Sequence, residues 1–287
     1  MRLSRISTIL LMSCFSITGF ASPSLPHSSL NYTHHHHVSK GSYSLDLNFL
    51  IKDQPQLFFV LKNPETGAIS YTQDGLFFMK DNYYYHGKNR LQGYVMPTDL
   101  ANNACTLTDV KLPGFGIPAT ATSVMMNSLN LDSNSVAPTV VPFDRANIAS
   151  WNYSVAQAIY DSLGNTHTAT LYFVLSSYNY WAVNVFVDEN PIGSGRITFD
   201  STGLLTSTEG LSSLMFNPGS GAAPQVISFV LDGTTQFGMS SSVWRSSQDG
   251  LSSGALMADS VDMNGYMSAE YTNGQSILFS KVAVVKN

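Results

Sequence analysis

Charged side chains are scarce in this chain: they make up 11% of its 287 residues, against about 25% in ordinary globular proteins. Lysine and arginine number 14 against 19 aspartates and glutamates, for a net charge of -5. With no basic surface to displace counterions from a phosphate backbone, nucleic-acid binding is excluded. Cysteine occurs twice, at Cys14 and Cys105. If Cys14 leaves with the N-terminal segment described next, no internal disulfide can form. Beyond that segment, no apolar run reaches the length needed to span a bilayer. No Gly-rich loop opens a helix, so the phosphate-cradling motifs are missing as well.

The N-terminus carries Arg2 and Arg5, an apolar run from Ile6 to Phe20, and small residues at Gly19 and Ala21. That order predicts a Sec-type signal peptide over residues 1–21, cleaved after Ala21. Leu11-Met-Ser-Cys14 fits a lipid-attachment motif poorly, because apolar residues continue past Cys14. Residues 22–41 form a polar linker holding His34, His35, His36 and His37. Imidazoles coordinate Zn, Cu or Ni, yet the tract has no carboxylate partners or fixed geometry, and a solvated linker accounts for it.

From Ser42 on, the pattern is that of strands. Tyr43-Ser-Leu-Asp-Leu-Asn-Phe49, Leu57-Phe-Phe-Val-Leu-Lys62 and Ile69-Ser-Tyr-Thr72 alternate or run apolar between turn residues. Farther on, Tyr153–Tyr160 and Thr168–Val174 do the same, and Trp181, Val183, Val185 and Val187 share one face of a further strand. Val226–Asp232, Ser242–Arg245, Ala258–Asp262, Tyr266–Tyr271 and Ile277–Val285 read as an antiparallel meander. Its Asn264-Gly265 and Asn273-Gly274 pairs predict tight reversals, because Asn and Gly both tolerate positive φ.

Several short segments occur in a telling order: Leu57-Phe-Phe-Val60, Tyr71-Thr-Gln-Asp-Gly75, Phe78, Leu91-Gln-Gly-Tyr94, Thr235-Gln-Phe-Gly238, Gln248-Asp-Gly250, Tyr271-Thr-Asn-Gly-Gln275 and Lys281-Val-Ala-Val284. The chain thereby resembles the outer β domains of the flagellar hook protein family and its rod relatives. Tyr160-Asp-Ser-Leu-Gly-Asn-Thr-His167, Trp181 and Phe199-Asp-Ser-Thr-Gly203 resemble the β-barrel domain inserted in those proteins. Two departures stand out: Gln54-Pro-Gln56 replaces the usual glycines, and Gln73 replaces the usual basic residue.

The resemblance implies an all-β chain in two domains. A discontinuous outer domain would cover 42–139 and 226–287, with a β-barrel-like domain, 140–225, inserted in it. Hook and rod proteins also carry long helices at both ends, which the expected signal peptide and the end at Asn287 leave no place for here.

Enzymatic readings are weak. Gly250-Leu-Ser-Ser-Gly254 formally fits a nucleophile elbow around Ser252, but that motif needs a helix after it and a His partner. Only His86 and His167 lie beyond the linker. The turns at Asp161, Asp200 and Asp262 lack the dense oxygen ligands of a calcium loop, and the aromatics Phe77, Phe78 and Tyr83–Tyr85 suit strand packing better than a sugar platform. The expectation is therefore a structural protein of the hook or basal body with no enzymatic chemistry, cofactor or metal. It would pack against itself or other flagellar axial proteins, in the flagellum, periplasm or outside the cell. The alternative is an exported binding or adhesion module reusing the same domains, and a hydrolase built on Ser252 comes third.

Overall fold

The computed structural model describes residues 44–95 and 106–286. The expected signal peptide, the histidines His34–His37 and both cysteines lie outside the described residues. Among the described residues the regular structure is β-strand, with two short 3-10 turns at Asn48–Leu50 and Ile148–Ser150.

The chain divides into two compact units. One comprises the described residues up to Ile117 together with those from Gly254 on; the other is Pro118–Ser253. The first unit is a 12-stranded sheet. Its N-terminal and C-terminal parts are woven together: Asn89–Val95 pairs antiparallel with Ser276–Val282, and Leu57–Lys62 with Val284–Lys286. These pairings explain the discontinuity, because neither part can satisfy its strand edges or bury its apolar face without the other. Leu45, Phe59, Leu61, Phe77, Tyr84 and Leu91 from the first part share a core with Val261, Met267, Ala269 and Tyr271 from the second.

The second unit holds a five-stranded antiparallel meander, Tyr153–Tyr160, Thr166–Ser177, Tyr180–Val187, Asn190–Phe199 and Leu205–Glu209. Trp181, Val183, Val185 and Val187 are each 0% exposed, as their alternation predicts. They pack with Met125, Leu129, Ile227 and Phe229 of a four-stranded sheet ordered Leu214–Phe216, Gln225–Val230, Val124–Asn130, Ser242–Gln248. Its central pair is parallel: Ser228 lies opposite Val124, and Val230 opposite Met126.

That parallel pair corrects the expected boundaries. Residues 118–139 and 226–253 belong to the second unit rather than to the outer domain, and the inserted unit is Pro118–Ser253, not 140–225. The meander expected from Val226 onward begins only at Gly254–Val261. Parallel partners are joined by long crossovers, so no local turn signal marks them.

Two local readings also change. Tyr43–Phe49 is not one strand: pairing stops at Asp46, whose carboxylate accepts from the Asn48 N–H at 2.9 Å and from Asn48 Nδ2 at 2.8 Å, bending the backbone into the 3-10 turn. At the two Asn-Gly reversals only the glycines have positive φ, +80° at Gly265 and +81° at Gly274. The first is a longer turn closed by Asp262, whose Oδ1 accepts from Asn264 N at 2.8 Å and Tyr266 N at 2.9 Å. The two-residue reversals with positive φ at both positions occur at Asp81-Asn82 and Asp188-Glu189 instead.

Candidate functional site

The polar segment Thr234–Gly238 begins inside the second unit and ends at its surface: Thr234, Thr235 and Gln236 are 1, 7 and 8% exposed and Phe237 37%. A buried polar group needs a partner, and here each one joins separate segments. Thr235 exchanges backbone hydrogen bonds with Leu129 and Leu131, and its hydroxyl donates to Asn130 Oδ1 at 2.9 Å. The same oxygen accepts from the Phe237 N–H. Gln236 N donates to the Gly203 carbonyl at 2.8 Å, while its side chain accepts from Trp181 Nε1 at 2.8 Å and donates to Asn179 at 3.1 Å. Gly203 has φ +81°, and a Cβ there would sit 2.5 Å from the Gln236 carbonyl oxygen. The segment is a staple joining the two sheets of the unit.

Gln248-Asp-Gly250 is used in the same way. Asp249 Oδ1 accepts from the Ser123 and Val124 N–H groups at 2.8 and 2.9 Å, and Gln248 accepts from the Thr122 hydroxyl at 2.8 Å. Burial raises the Asp249 carboxyl, but these donors, Ser123 foremost, hold it below its ordinary value. The two departures from the expected signature meet in space: Gln73 Nε2 donates to the carbonyls of Pro55 and Leu57, so Gln73 braces the loop that Gln54-Pro-Gln56 forms.

The three Asp turns are closed by their own backbones. Asp200 Oδ1 accepts from Thr202 and Leu204, and Asp262 from Asn264 and Tyr266. Asp161 accepts from the Leu163 and Asn165 backbone and the Asn165 side chain at 2.8–2.9 Å. Asp161 also joins His167, whose Nε2 lies 3.3 Å from Asp161 Oδ2 and whose Nδ1 meets Asp188. The imidazole edge rests on Phe216. With a carboxylate at each nitrogen, the imidazolium is the form that donates both bonds. Burial lowers His167, but the bonds to Asp188 and Asp161 outweigh it and raise the group above its ordinary value. Burial likewise raises Asp161, and its Asn165, His167 and Leu163 donors bring it down to about 2.

The other sequence candidates are not brought together. Ser252 follows Leu251, which bridges to Thr120, and precedes the strand Gly254–Val261 rather than a helix. His86 lies in the other unit, with Nδ1 3.2 Å from the Leu76 carbonyl. Phe77 and Tyr84 are core residues, whereas Phe78 is half exposed. Sequence reasoning missed the Arg90–Asp109 ion pair at 2.8 Å, which strand register creates and no spacing announces.

The outer face of the four-stranded sheet carries exposed apolar side chains. Met215 pairs with Val226, and Met126 lies between Val230 and Ser247; Met215, Val226 and Met126 are 62, 46 and 38% exposed. On the edge strand Ser242–Gln248, Val243 lies opposite the buried Leu129, and the bulge that follows carries the half-exposed Trp244. The bulge and Arg245 guard that edge against indiscriminate strand pairing.

Residues 130–251 match the family described as flagellar basal body protein FlaE D2 domain. The chain is 26% identical to the flagellar hook protein FlgE of Escherichia coli (strain K12), over 76% of this chain and 56% of that protein. It is 28% identical to FlgE of Borreliella burgdorferi, over 79% of this chain and 58% of that protein. It therefore spans less than two thirds of the length of these relatives. In fold it is similar to the crystal structure of Helicobacter pylori flagellar hook protein FlgE2, with a TM-score of 0.53 and 11% identity over 80% of this chain and 87% of that one. With its signature segments serving as internal staples in the second unit, and with these relatives aligned across most of its length, the chain is similar to flagellar hook proteins in sequence and in fold.

Proposed function

We infer that the protein is a structural subunit of the flagellar hook or basal body, working by packing β faces against copies of itself or other axial subunits, without enzymatic chemistry. The supporting observation is the division of labour within the second unit. Its polar signature is consumed by internal hydrogen bonds, while Met215 and its partner Val226, and Met126 farther along the same sheet, stay open to solvent. Open apolar faces of this kind mark interaction surfaces. The carboxylates that a catalytic or metal site would use are occupied instead by backbone donors at turns.

Export through the Sec route, directed by Arg2–Ala21, is part of the same proposal. That segment also favours a second reading, an exported binding or adhesion module built on the same units, since a route of its own would deliver the chain without a flagellum. Deletion of the gene separates the two. Loss of swimming, restored by the wild-type chain and not by a Trp244→Ser, Met126→Ser chain, supports the axial role; normal swimming with altered surface attachment overturns it in favour of the module.

A further inference from the structure

The first unit carries a cluster of like charge that the packing role does not use. Lys62 on the strand Leu57–Lys62 lies directly opposite Arg90 on Asn89–Val95. Two cations facing each other across a strand pair are destabilising unless an anion lies between them. Among the described residues the local carboxylate is Asp109, which Lys62 also attracts but whose oxygens are taken: Arg90 Nη1 donates to one at 2.8 Å and Gln92 Nε2 to the other at 2.7 Å. Burial raises Asp109, but these donors hold it below its ordinary range. Arg90 is fixed besides by the Tyr85 hydroxyl at 2.8 Å, and its guanidinium lies 3.9 Å from the centre of the Tyr83 ring. Lys111, bridged to Tyr83 through the backbone, brings its ammonium to 5.4 Å from the same ring.

Lys62, Tyr83, Asp109 and Lys111 line one recess of about 580 Å3. Among the described residues around it, three cations face one carboxylate, in a chain whose net charge is -5. Arg90 and Asp109 neutralise each other, so the ammonium groups of Lys62 and Lys111 remain as donors on the recess walls. Val95 and Leu107, 51 and 42% exposed, complete its rim and suit a carbon skeleton better than a bare inorganic ion.

We propose that this recess binds a small polyvalent carboxylate, held by Lys62 and Lys111, with Arg90 fixing the wall between them. The ligand supplies negative charge to Lys62 and Lys111, which are left with a share of the single carboxylate that Arg90 already holds, and its binding weakens with salt because both lysines are exposed.

The test is calorimetric titration of the intact chain with citrate at low ionic strength, with inorganic phosphate as a second probe and sodium chloride as a screening control. Citrate is expected to bind saturably at one site and more tightly than phosphate. The Lys62→Gln, Lys111→Gln double variant should bind citrate at least tenfold more weakly, and Lys52→Gln, at an exposed lysine outside the recess, should bind as the wild type does. Far-UV circular dichroism on each protein keeps folding defects out of the comparison. Non-saturable heats, heats that sodium chloride reproduces, phosphate binding as tightly as citrate, or equal affinity in the double variant would each overturn the proposal.

Discussion

Replacing Gln236 by leucine tests whether the signature segment is an internal staple. The leucine side chain has similar bulk but cannot accept from Trp181 Nε1, and Trp181 is 0% exposed. No water reaches the orphaned indole N–H, and leaving a buried donor unpaired costs about 1–3 kcal/mol. The bond from Gln236 Nε2 to Asn179 is lost too; it is partly exposed and contributes no more than ~1 kcal/mol. The expected loss is therefore about 2–3 kcal/mol, which lowers the melting temperature of a unit this size by roughly 4–10 °C.

The assay is built into the sequence. The chain's three tryptophans, Trp151, Trp181 and Trp244, all lie within Pro118–Ser253, so tryptophan fluorescence follows that unit alone during thermal or urea unfolding. A double-mutant cycle with Trp181→Phe isolates the bond from the loss of volume, and a coupling of about 1–2 kcal/mol is expected for residues in direct contact. A Gln236→Leu protein melting within about 1 °C of wild type, or a cycle that is simply additive, would refute the staple.

The His167 cluster gives the second unit a defined pH dependence. Because the folded His167 value is raised, its stabilisation is complete below the ordinary 6.5 and is lost as pH rises through the folded value. Asp161, lowered from 3.8 to about 2, contributes above 3.8 and loses its contribution as pH falls toward 2; the shift corresponds to at most about 2.4 kcal/mol. Fluorescence-monitored stability should thus be greatest between about pH 4 and 6.5, and His167→Gln should abolish the alkaline fall; an unchanged profile in that variant would contradict the cage. Gly203→Ala and Gly265→Ala share nearly the same φ but not the same surroundings: at 265 the nearest atom to a Cβ is 3.7 Å away, at 203 it is 2.5 Å. Alanine should cost about 1 kcal/mol at 265 and about 3 kcal/mol at 203, in melts followed by circular dichroism and fluorescence respectively; equal losses would show that space does not decide. Trp244→Ser should leave the melting temperature within about 2 °C of wild type, since surface changes seldom exceed 0.5 kcal/mol, while weakening association in sedimentation with hook subunits.

Strands were legible wherever one face is buried. The alternation of Trp181, Val183, Val185 and Val187 fixes their facing, because a slip of one residue would expose all four. The inserted unit's limits were not legible, since Val124–Asn130 and Gln225–Val230 meet as a parallel pair from distant parts of the chain and only tertiary packing brings them together. Asn48 shows a local signal prevailing over a period: the Asp46 carboxylate captures its N–H and ends the strand despite continued alternation. The roles of Gln236 and Gln73 were visible only as residues at signature positions. Which carbonyl or indole each would meet depends on where separate loops arrive, and sequence spacing carries no trace of that.

Mass spectrometry of purified hook–basal bodies, from cells expressing either the wild-type chain or a folded Trp244→Ser, Met126→Ser variant, tests the packing role most directly. The wild-type chain should co-purify in fixed proportion to the axial proteins, and the variant should be depleted from the particles while remaining abundant in the cell. Particles that lack the wild-type chain, or that retain both chains equally, would contradict assembly through this sheet face.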